Sequence, residues 1–138
     1  MAVIVGGASG LGFACAEALG RERPVLVADL PTPALEAAIA NLAATGVDAT
    51  PIPCDVTDPD SVTSLGAAAA DRGGIAYVVH TAGVGPKQMT DGDRLIEINL
   101  VGAARVLETS LEAIVEGGVG VFFGSIGAKR PNLVNRYT

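Results

Sequence analysis

Hydrophobic residues follow two alternating patterns along the chain. Between runs of continuous apolar sequence, apolar residues recur three and four positions apart, as on the buried face of a helix. These spacings predict helices near residues 11–19, 35–42 and 62–69 and over Asp91–Glu116. The continuous runs are typical of strands buried on both faces of a parallel sheet, and they predict strands at Ala2–Gly6, Pro24–Asp29, Ala49–Cys54, Ile75–His80 and Val119–Gly124.

Local signals for helix ends agree with this alternation. Thr32 and Asp58 each precede a proline, which suits a capping residue followed by the first helical position, and glycines follow the helical segments. Strands alternating with helices predict right-handed βαβ units. We therefore expect an α/β fold, a doubly wound parallel sheet of the Rossmann type with strand order 3-2-1-4-5. Its ligand crevice would lie outside the carboxyl ends of strands 1 and 4.

Composition narrows the class of protein further. The 138 residues include 18 glycines, 49% are hydrophobic, and 17% are charged with a net charge of −6. The largest basic cluster is the pair Lys129–Arg130, so a nucleic-acid footprint is missing. Apolar runs are too short for a membrane helix, and Cys15 and Cys54 stand outside any metal-binding motif. The sequence predicts one cytoplasmic domain with no metal, no nucleic-acid partner and no membrane partner.

A glycine-rich loop connects the first strand to the first helix. Gly6, Gly10 and Gly12 follow a Gly-x-x-x-Gly-x-Gly spacing. Glycines at such a turn let a pyrophosphate approach the backbone, and the helix N-terminus offers unpaired N–H groups to the phosphates. The pattern alone is weak and its position after the first strand gives it weight. The alternative is a purely structural glycine turn.

Asp29 closes the second strand, 17 residues after Gly12. A carboxylate at this position can accept hydrogen bonds from ribose hydroxyls and would repel a 2′-phosphate. Leu30 follows it, without an adjacent Arg or Lys to receive that phosphate. The residues therefore favour NAD over NADP as the cofactor, although a solvated turn aspartate before Pro31 is the alternative.

Taken together, these features resemble the short-chain dehydrogenase/reductase family over essentially all 138 residues. The landmarks are the glycine spacing, Asp55-Val56 after the third strand, Ala82-Gly83 after the fourth, Asn99-x-x-Gly102 on the fourth helix, and Ser125 with Tyr137. The resemblance implies ten cofactor-binding residues: Gly6, Ser9, Gly10, Leu11, Gly12, Asp29, Asp55, Val56, Ala82 and Gly83. It also implies three catalytic residues, Asn99, Ser125 and Tyr137.

In this family, a hydride passes between a nicotinamide and an alcohol or carbonyl carbon. The resemblance makes Tyr137 the general acid/base, Ser125 the donor that positions the substrate oxygen, and Asn99 the holder of a water in the proton path. The simpler readings are a terminal tyrosine, a strand-end serine and a satisfied polar residue. His80, the only histidine, is interpreted as a core or cofactor-lining residue.

Several positions depart from the family pattern. Val5 replaces a threonine, and His80-Thr81 replace two asparagines that brace the sheet centre. The short segment 83–99 most resembles the subgroup that contains bacterial 3α-hydroxysteroid dehydrogenase. The sequence stops at Thr138, before the lysine of the family's Tyr-x-x-x-Lys motif. We therefore expect residues 1–138 to be an NAD-binding domain that is incomplete at its C-terminal end, with its fifth strand left as an exposed edge.

The leading hypothesis is an NAD-dependent oxidoreductase acting on a small secondary alcohol or ketone. The resemblance further implies a homo-oligomer for the complete protein, and the 138-residue piece alone is expected to be inactive. Two alternatives remain open from the residues. One is a non-catalytic dinucleotide-binding module that lacks the catalytic lysine. The other is an S-adenosylmethionine methyltransferase, which also uses a glycine loop and an acidic residue after the second strand.

Overall fold

A computed structural model describes residues 1–85 and 87–125 of the chain. Five parallel strands form one sheet in the order β3-β2-β1-β4-β5, as the sequence predicted. The strands are β1 (Ala2–Val5), β2 (Val25–Asp29), β3 (Ala49–Pro53), β4 (Ile75–His80) and β5 (Ile114–Phe122). The helices are α1 (Gly10–Gly20), α2 (Pro33–Ala44), α3 (Pro59–Ala70), α4 (Gly92–Ile96) and α5 (Gly102–Ala113), with a π-helical segment (Glu97–Val101) between the last two.

Apolar side chains cover both faces of the sheet, and β1 lies at its centre. Val3 and Val5 face a cluster that includes residues of α3 and α5. Ala2 and Ile4 face the opposite cluster, which includes residues of α1 and α2. All four β1 side chains are buried. Because successive strand residues point to opposite faces, a continuous apolar run is what this doubly covered position requires.

The two outer strands depart from the predicted burial on both faces. In β3 the side chains are half-buried or exposed, and Pro51 and Pro53 occupy ladder positions. Proline is tolerated there because an outer strand has a free side for its missing N–H group. In β5, Val119 and Val121 are 46% and 44% exposed. Within the described residues these two strands form the edges of the sheet.

The predicted long helix over Asp91–Glu116 is wrong in two respects. A π-helical segment at Glu97–Val101 interrupts it, and it ends at Ala113. Strand β5 then begins at Ile114 instead of the predicted Val119, and its pairing with β4 slips between these two positions. Gly117 adopts a φ of +77° within the slip, a conformation that glycine takes without a steric penalty. Ile114 suits a helix face and a strand equally well, so periodicity alone placed the boundary too late.

One of the two predicted helix caps is confirmed by its side chain. Asp58 precedes α3, and its carboxylate accepts a hydrogen bond of 3.0 Å from the backbone N–H of Asp60. Thr32 precedes α2 in the predicted position, but its hydroxyl makes no capping bond. Pro33 and Pro59 each occupy the first helical position, where the lost N–H group costs nothing. In the part of the chain that the structure describes, no helix is long and apolar enough to cross a membrane.

Candidate functional site

A cleft of about 560 Å³ opens beside the carboxyl ends of β1 and β4. It lies at the point where the strand order reverses, which is where open α/β sheets bind ligands. All ten residues that the sequence predicted for cofactor binding line this cleft. The structure adds nine more lining residues: Val5, Leu30, Cys54, Thr81, Val84, Met89, Arg94, Ile98 and Phe123.

The glycine loop is packed too tightly for side chains at two of its positions. Gly6 has a φ of +83°, and a Cβ atom there would stand 2.5 Å from the backbone nitrogen of Ala82. A Cβ at Gly12 would collide with the carbonyl oxygen of Gly6. Gly10 has a φ of +53° with open space around it. The loop therefore brings bare backbone to the cleft, as close approach of a phosphate requires.

Helix α1 points its N-terminus into the cleft. Ser9 is the N-cap residue, but its hydroxyl makes no capping bond to the helix, and the first turn contains no acidic side chain. The unpaired N–H groups of this turn and the positive end of the helix dipole therefore face the cleft, and no carboxylate on the turn itself neutralises them. This arrangement suits an anionic group, and the Ser9 hydroxyl adds a further donor.

The carboxylate of Asp29 joins the end of β2 to the glycine loop. One oxygen, Oδ2, accepts a hydrogen bond of 2.9 Å from the backbone N–H of Ala8. The other, Oδ1, accepts one of 2.8 Å from Leu30. Asp29 therefore holds the glycine loop in place and also lines the cleft. A turn residue that only contacts solvent would not make the bond to Ala8.

Asp55 follows β3 and also lines the cleft. Its Oδ1 accepts hydrogen bonds from the backbone N–H and the hydroxyl of Thr57, at 2.9 and 2.8 Å. The backbone hydrogen bond from Thr57 is the main cause that lowers the pKa of Asp55 below its usual value, and the charge of Arg94 contributes. The carboxylate is thus ionised and oriented, and Oδ2 is the atom that can accept from a ligand.

Cys54 lines the cleft beside Asp55, and the sequence had assigned it no role. Its side chain is buried, and this burial raises the pKa of the thiol above its ordinary value. A thiol with a raised pKa is a poor nucleophile at neutral pH. Cys54 and Cys15 are both free cysteines, and the described residues contain no group of three or more potential metal ligands.

The two residues that replace the family's asparagines lie at the end of β4. The Thr81 hydroxyl lies 3.1 Å from the carbonyl oxygens of both Val5 and Gly6 and donates to them, so it braces the end of β1. His80 is buried, its ring lies 5.4 Å from that of Phe122, and neither ring nitrogen has a partner among the described residues. The predicted core interpretation of His80 therefore agrees with its surroundings.

His80 makes the stability of the fold sensitive to acid. Burial lowers the pKa of His80 below 6.5 in the folded chain. As the pH falls below about 6.5, the unfolded chain takes up this proton first, and the free energy of unfolding decreases. We expect urea-unfolding midpoints to drop between pH 8 and pH 5.5, and to drop less in a His80→Asn variant. The same pH dependence in both proteins would contradict this explanation.

The structure describes two of the three predicted catalytic residues, Asn99 and Ser125. Asn99 lies in the π-helical segment, where its amide bonds both the N–H and the carbonyl of Val84, each at 2.8 Å. Ser125 lies exposed beyond the end of β5. Tyr137 lies outside the described residues. The side chain of Asn99 thus holds the loop after β4, a contact that the sequence pattern did not indicate.

Two arginines near the cleft were missed by sequence reasoning. Arg94 lines the cleft and forms an ion pair of 2.6 Å with Glu97. Arg105, on α5, donates to the backbone carbonyls of Val56 and Thr57. A search for basic clusters could not find them, because each is a single arginine without a basic neighbour in the sequence.

These features together define a class of protein. A parallel sheet of order 3-2-1-4-5, flanked by helices and with a glycine loop at its switch point, is a Rossmann-like fold. The family model described as short chain dehydrogenase matches residues 1–137. The chain therefore belongs to the short-chain dehydrogenase/reductase family, an oxidoreductase family, and this confirms the resemblance and excludes the methyltransferase alternative.

Individual relatives and structures agree with this placement. The chain is 38% identical to 1-deoxy-11-beta-hydroxypentalenate dehydrogenase of Streptomyces arenae over 79% of its own length and 38% of the relative. It is 32% identical to human 3-hydroxyacyl-CoA dehydrogenase type-2, over 98% of the chain and 54% of the relative. The structure of an F189W actinorhodin polyketide ketoreductase with NADPH aligns with a TM-score of 0.82 at 29% identity, covering 94% of this chain and 54% of that one. The chain thus spans about half or less of the length of these relatives.

Proposed function

We propose that residues 1–138 form the cofactor-binding domain of an NAD-dependent oxidoreductase that acts on a small secondary alcohol or ketone. The observation that carries the proposal is the cleft itself. A bare glycine loop, the N-terminus of α1 and two carboxylates converge on it. This donor and acceptor set fits a dinucleotide, whose phosphates need backbone N–H groups and whose ribose and adenine offer donors to carboxylates.

Residues that line the cleft could bind each part of the dinucleotide. The N–H groups of the glycine loop and the Ser9 hydroxyl would bind the pyrophosphate. Asp29 would accept from the adenosine ribose, while Asp55 Oδ2 and the N–H of Val56 would hold the adenine. After the end of β4, Ala82 has only a methyl side chain and Gly83 has none, so the cofactor could pass close to the sheet. The bound nicotinamide would supply the hydride chemistry.

Catalysis is assigned to Tyr137, Ser125 and Asn99. Tyr137 would move the proton of the substrate hydroxyl, and Ser125 would donate a hydrogen bond to the substrate oxygen. A tyrosine near its unperturbed pKa of about 10 is a weak base at neutral pH, so a nearby positive charge is required. In the family a lysine four residues after the tyrosine provides that charge, and the present sequence stops before this position.

Cofactor preference gives the direct test of this proposal. Asp29 carries a negative charge where the 2′-phosphate of NADP would lie, and its neighbour Leu30 offers no positive charge. We expect the protein to bind NADH at least about tenfold more tightly than NADPH, because like charges in close contact cost more than 1 kcal/mol. Titrations of intrinsic cofactor fluorescence measure both dissociation constants. Equal affinities, or tighter binding of NADPH, would contradict the assignment of Asp29.

Hydride transfer separates this proposal from the non-catalytic module. Tight NADH binding together with reduction of ketones in a substrate panel supports the oxidoreductase. Tight binding without any turnover, measured on a chain that extends past the expected lysine, supports the module. The ketoreductase structure named above contains NADPH, so family membership by itself does not select between the two cofactors.

Self-association of the complete protein and its location in the cytoplasm remain predictions.

Helices α4 and α5 and the π-helical segment carry exposed apolar side chains on one face. Ile96, Leu100, Leu107 and Leu111 are 55%, 66%, 44% and 63% exposed. Apolar side chains in a continuous stripe favour contact with another protein surface. This stripe would give the proposed homo-oligomer a contact surface.

A further inference from the structure

We infer that Arg105 is a positioning residue for the adenine end of the cleft. This inference rests on the proposed function, because it concerns the subsite assigned to Asp55 and Val56. Arg105 lies on α5, half-buried, and does not itself line the cleft. It would act through the loop between β3 and α3, which it holds by main-chain contacts.

Among the described residues, the side chain of Arg105 makes its hydrogen bonds to backbone atoms of that loop. Its Nη1 donates to the carbonyl oxygen of Thr57 at 3.1 Å and to that of Val56 at 3.4 Å. In the part of the chain that the structure describes, Arg23 and Arg94 form ion pairs, whereas Arg105 does not. A guanidinium bound to carbonyls makes charge-assisted bonds of fixed direction, so it fixes where this stretch of backbone lies.

The position of this loop determines the position of the Asp55 carboxylate. Thr57 donates both its N–H and its hydroxyl to Asp55 Oδ1. The backbone of Thr57 therefore has two partners. Its carbonyl accepts a hydrogen bond from Arg105, and its N–H donates one to Asp55. Moving the Thr57 backbone would turn the carboxylate and displace Oδ2 from the place where an adenine amino group would donate.

Helix α5 also packs closely against the same loop at a second position. Gly102 is buried, and a Cβ atom there would stand 2.7 Å from Val56 Cγ2. Glycine thus allows the helix backbone to approach Val56 closely, and three residues later Arg105 reaches the Val56 carbonyl. Steric contact at one point and hydrogen bonds at another fix both the distance and the orientation of the loop.

An adenine-specific comparison tests this role. The probes are NADH and reduced nicotinamide hypoxanthine dinucleotide, in which a carbonyl oxygen replaces the 6-amino group. We expect Arg105→Met to weaken NADH binding by about tenfold and binding of the hypoxanthine analogue by less than about twofold, since only NADH has an amino group that donates to the Asp55 carboxylate. Arg105→Lys, which keeps one donor, should fall between the wild-type protein and Arg105→Met.

The control variant is Arg72→Met. Arg72 Nη1 also donates to a backbone carbonyl, that of Ala68 at 2.9 Å, but at the far end of α3 and away from the cleft. We expect Arg72→Met to bind both dinucleotides as the wild-type protein does. An equal loss for the two probes in Arg105→Met would overturn the inference, because it would indicate a general loss of structure.

Hydrogen exchange without any dinucleotide separates the inference from the proposed function. The Thr57 amide is protected by its bond to Asp55, and we expect about tenfold faster exchange at this amide in Arg105→Met, with Arg72→Met unchanged. Unchanged exchange at Thr57 would overturn the role of Arg105 even if NADH binds. A wild-type protein that binds neither dinucleotide would refute the proposed function, while the exchange result would still decide whether Arg105 positions the loop.

Discussion

Gly12→Ala is expected to weaken NADH binding by about 100-fold. The added Cβ atom would collide with the carbonyl oxygen of Gly6 and stand 2.6 Å from the Thr81 hydroxyl. Those atoms belong to the glycine loop and the end of β4, which cannot both move without opening the cleft. Overpacking costs up to about 3 kcal/mol, and each 1.4 kcal/mol is tenfold in affinity. Fluorescence titration with NADH measures the loss.

The matched control for Gly12→Ala is the same substitution at Gly92. Gly92 begins α4 outside the cleft, and among the described residues no heavy atom outside its own chain neighbours and helix backbone lies within 4 Å of its Cβ position. We expect Gly92→Ala to bind NADH normally. Thermal unfolding of both variants shows whether the effect at Gly12 is local. Normal NADH affinity in a folded Gly12→Ala protein would refute the close approach on which the proposed phosphate site depends.

The central strands of the fold could be predicted from the sequence because their burial produces a pattern within each short segment. Strands β1, β2 and β4 are buried on both faces, so their apolar runs are unbroken, and the predicted order of the sheet is confirmed. The glycine spacing predicted a loop that only glycine can form, and Gly6 and Gly12 show why. All ten predicted cofactor residues meet at one cleft because parallel strands end at the same edge.

Other features depend on contacts that a linear pattern does not encode. The π-helical segment has the same apolar spacing as an α-helix, so periodicity did not reveal it. The contacts of Asn99 with Val84 and of Arg105 with Thr57 are side-chain bonds to backbone atoms far along the chain. A backbone N–H or carbonyl group is the same in almost every residue, so no sequence motif could indicate either bond.

Asn99→Asp is expected to lower the free energy of unfolding at pH 8 by about 1 kcal/mol. The Asn99 amide donates to the Val84 carbonyl and accepts from the Val84 N–H, both at 2.8 Å. A carboxylate keeps the acceptor but turns an oxygen toward the carbonyl, so one bond is lost and repulsion is added. Urea unfolding of the variant and the wild-type protein, compared at each pH, measures the difference.

The pH dependence of that difference identifies the lost donor. Repulsion from the Val84 carbonyl would raise the pKa of the new carboxyl above that of an ordinary aspartate, and its protonated form could donate again. The folded variant would then bind a proton more tightly than the unfolded chain does, so its stability relative to wild type should recover as the pH falls. Because both proteins contain His80, the acid sensitivity of that residue cancels in the comparison.

Gln88→Glu supplies the control for an amide replaced by an acid in the same loop. The Gln88 amide oxygen accepts from the Gly85 N–H at 2.7 Å, so a carboxylate can keep this contact without losing a donor. We expect Gln88→Glu to change the free energy of unfolding by less than about 0.5 kcal/mol, as surface substitutions usually do. Equal losses in the two variants would show that added negative charge, and not the lost bond to Val84, destabilises the loop. A large loss confined to Asn99→Asp would instead establish that the Asn99 side chain holds the loop after β4 through its donor as well as its acceptor.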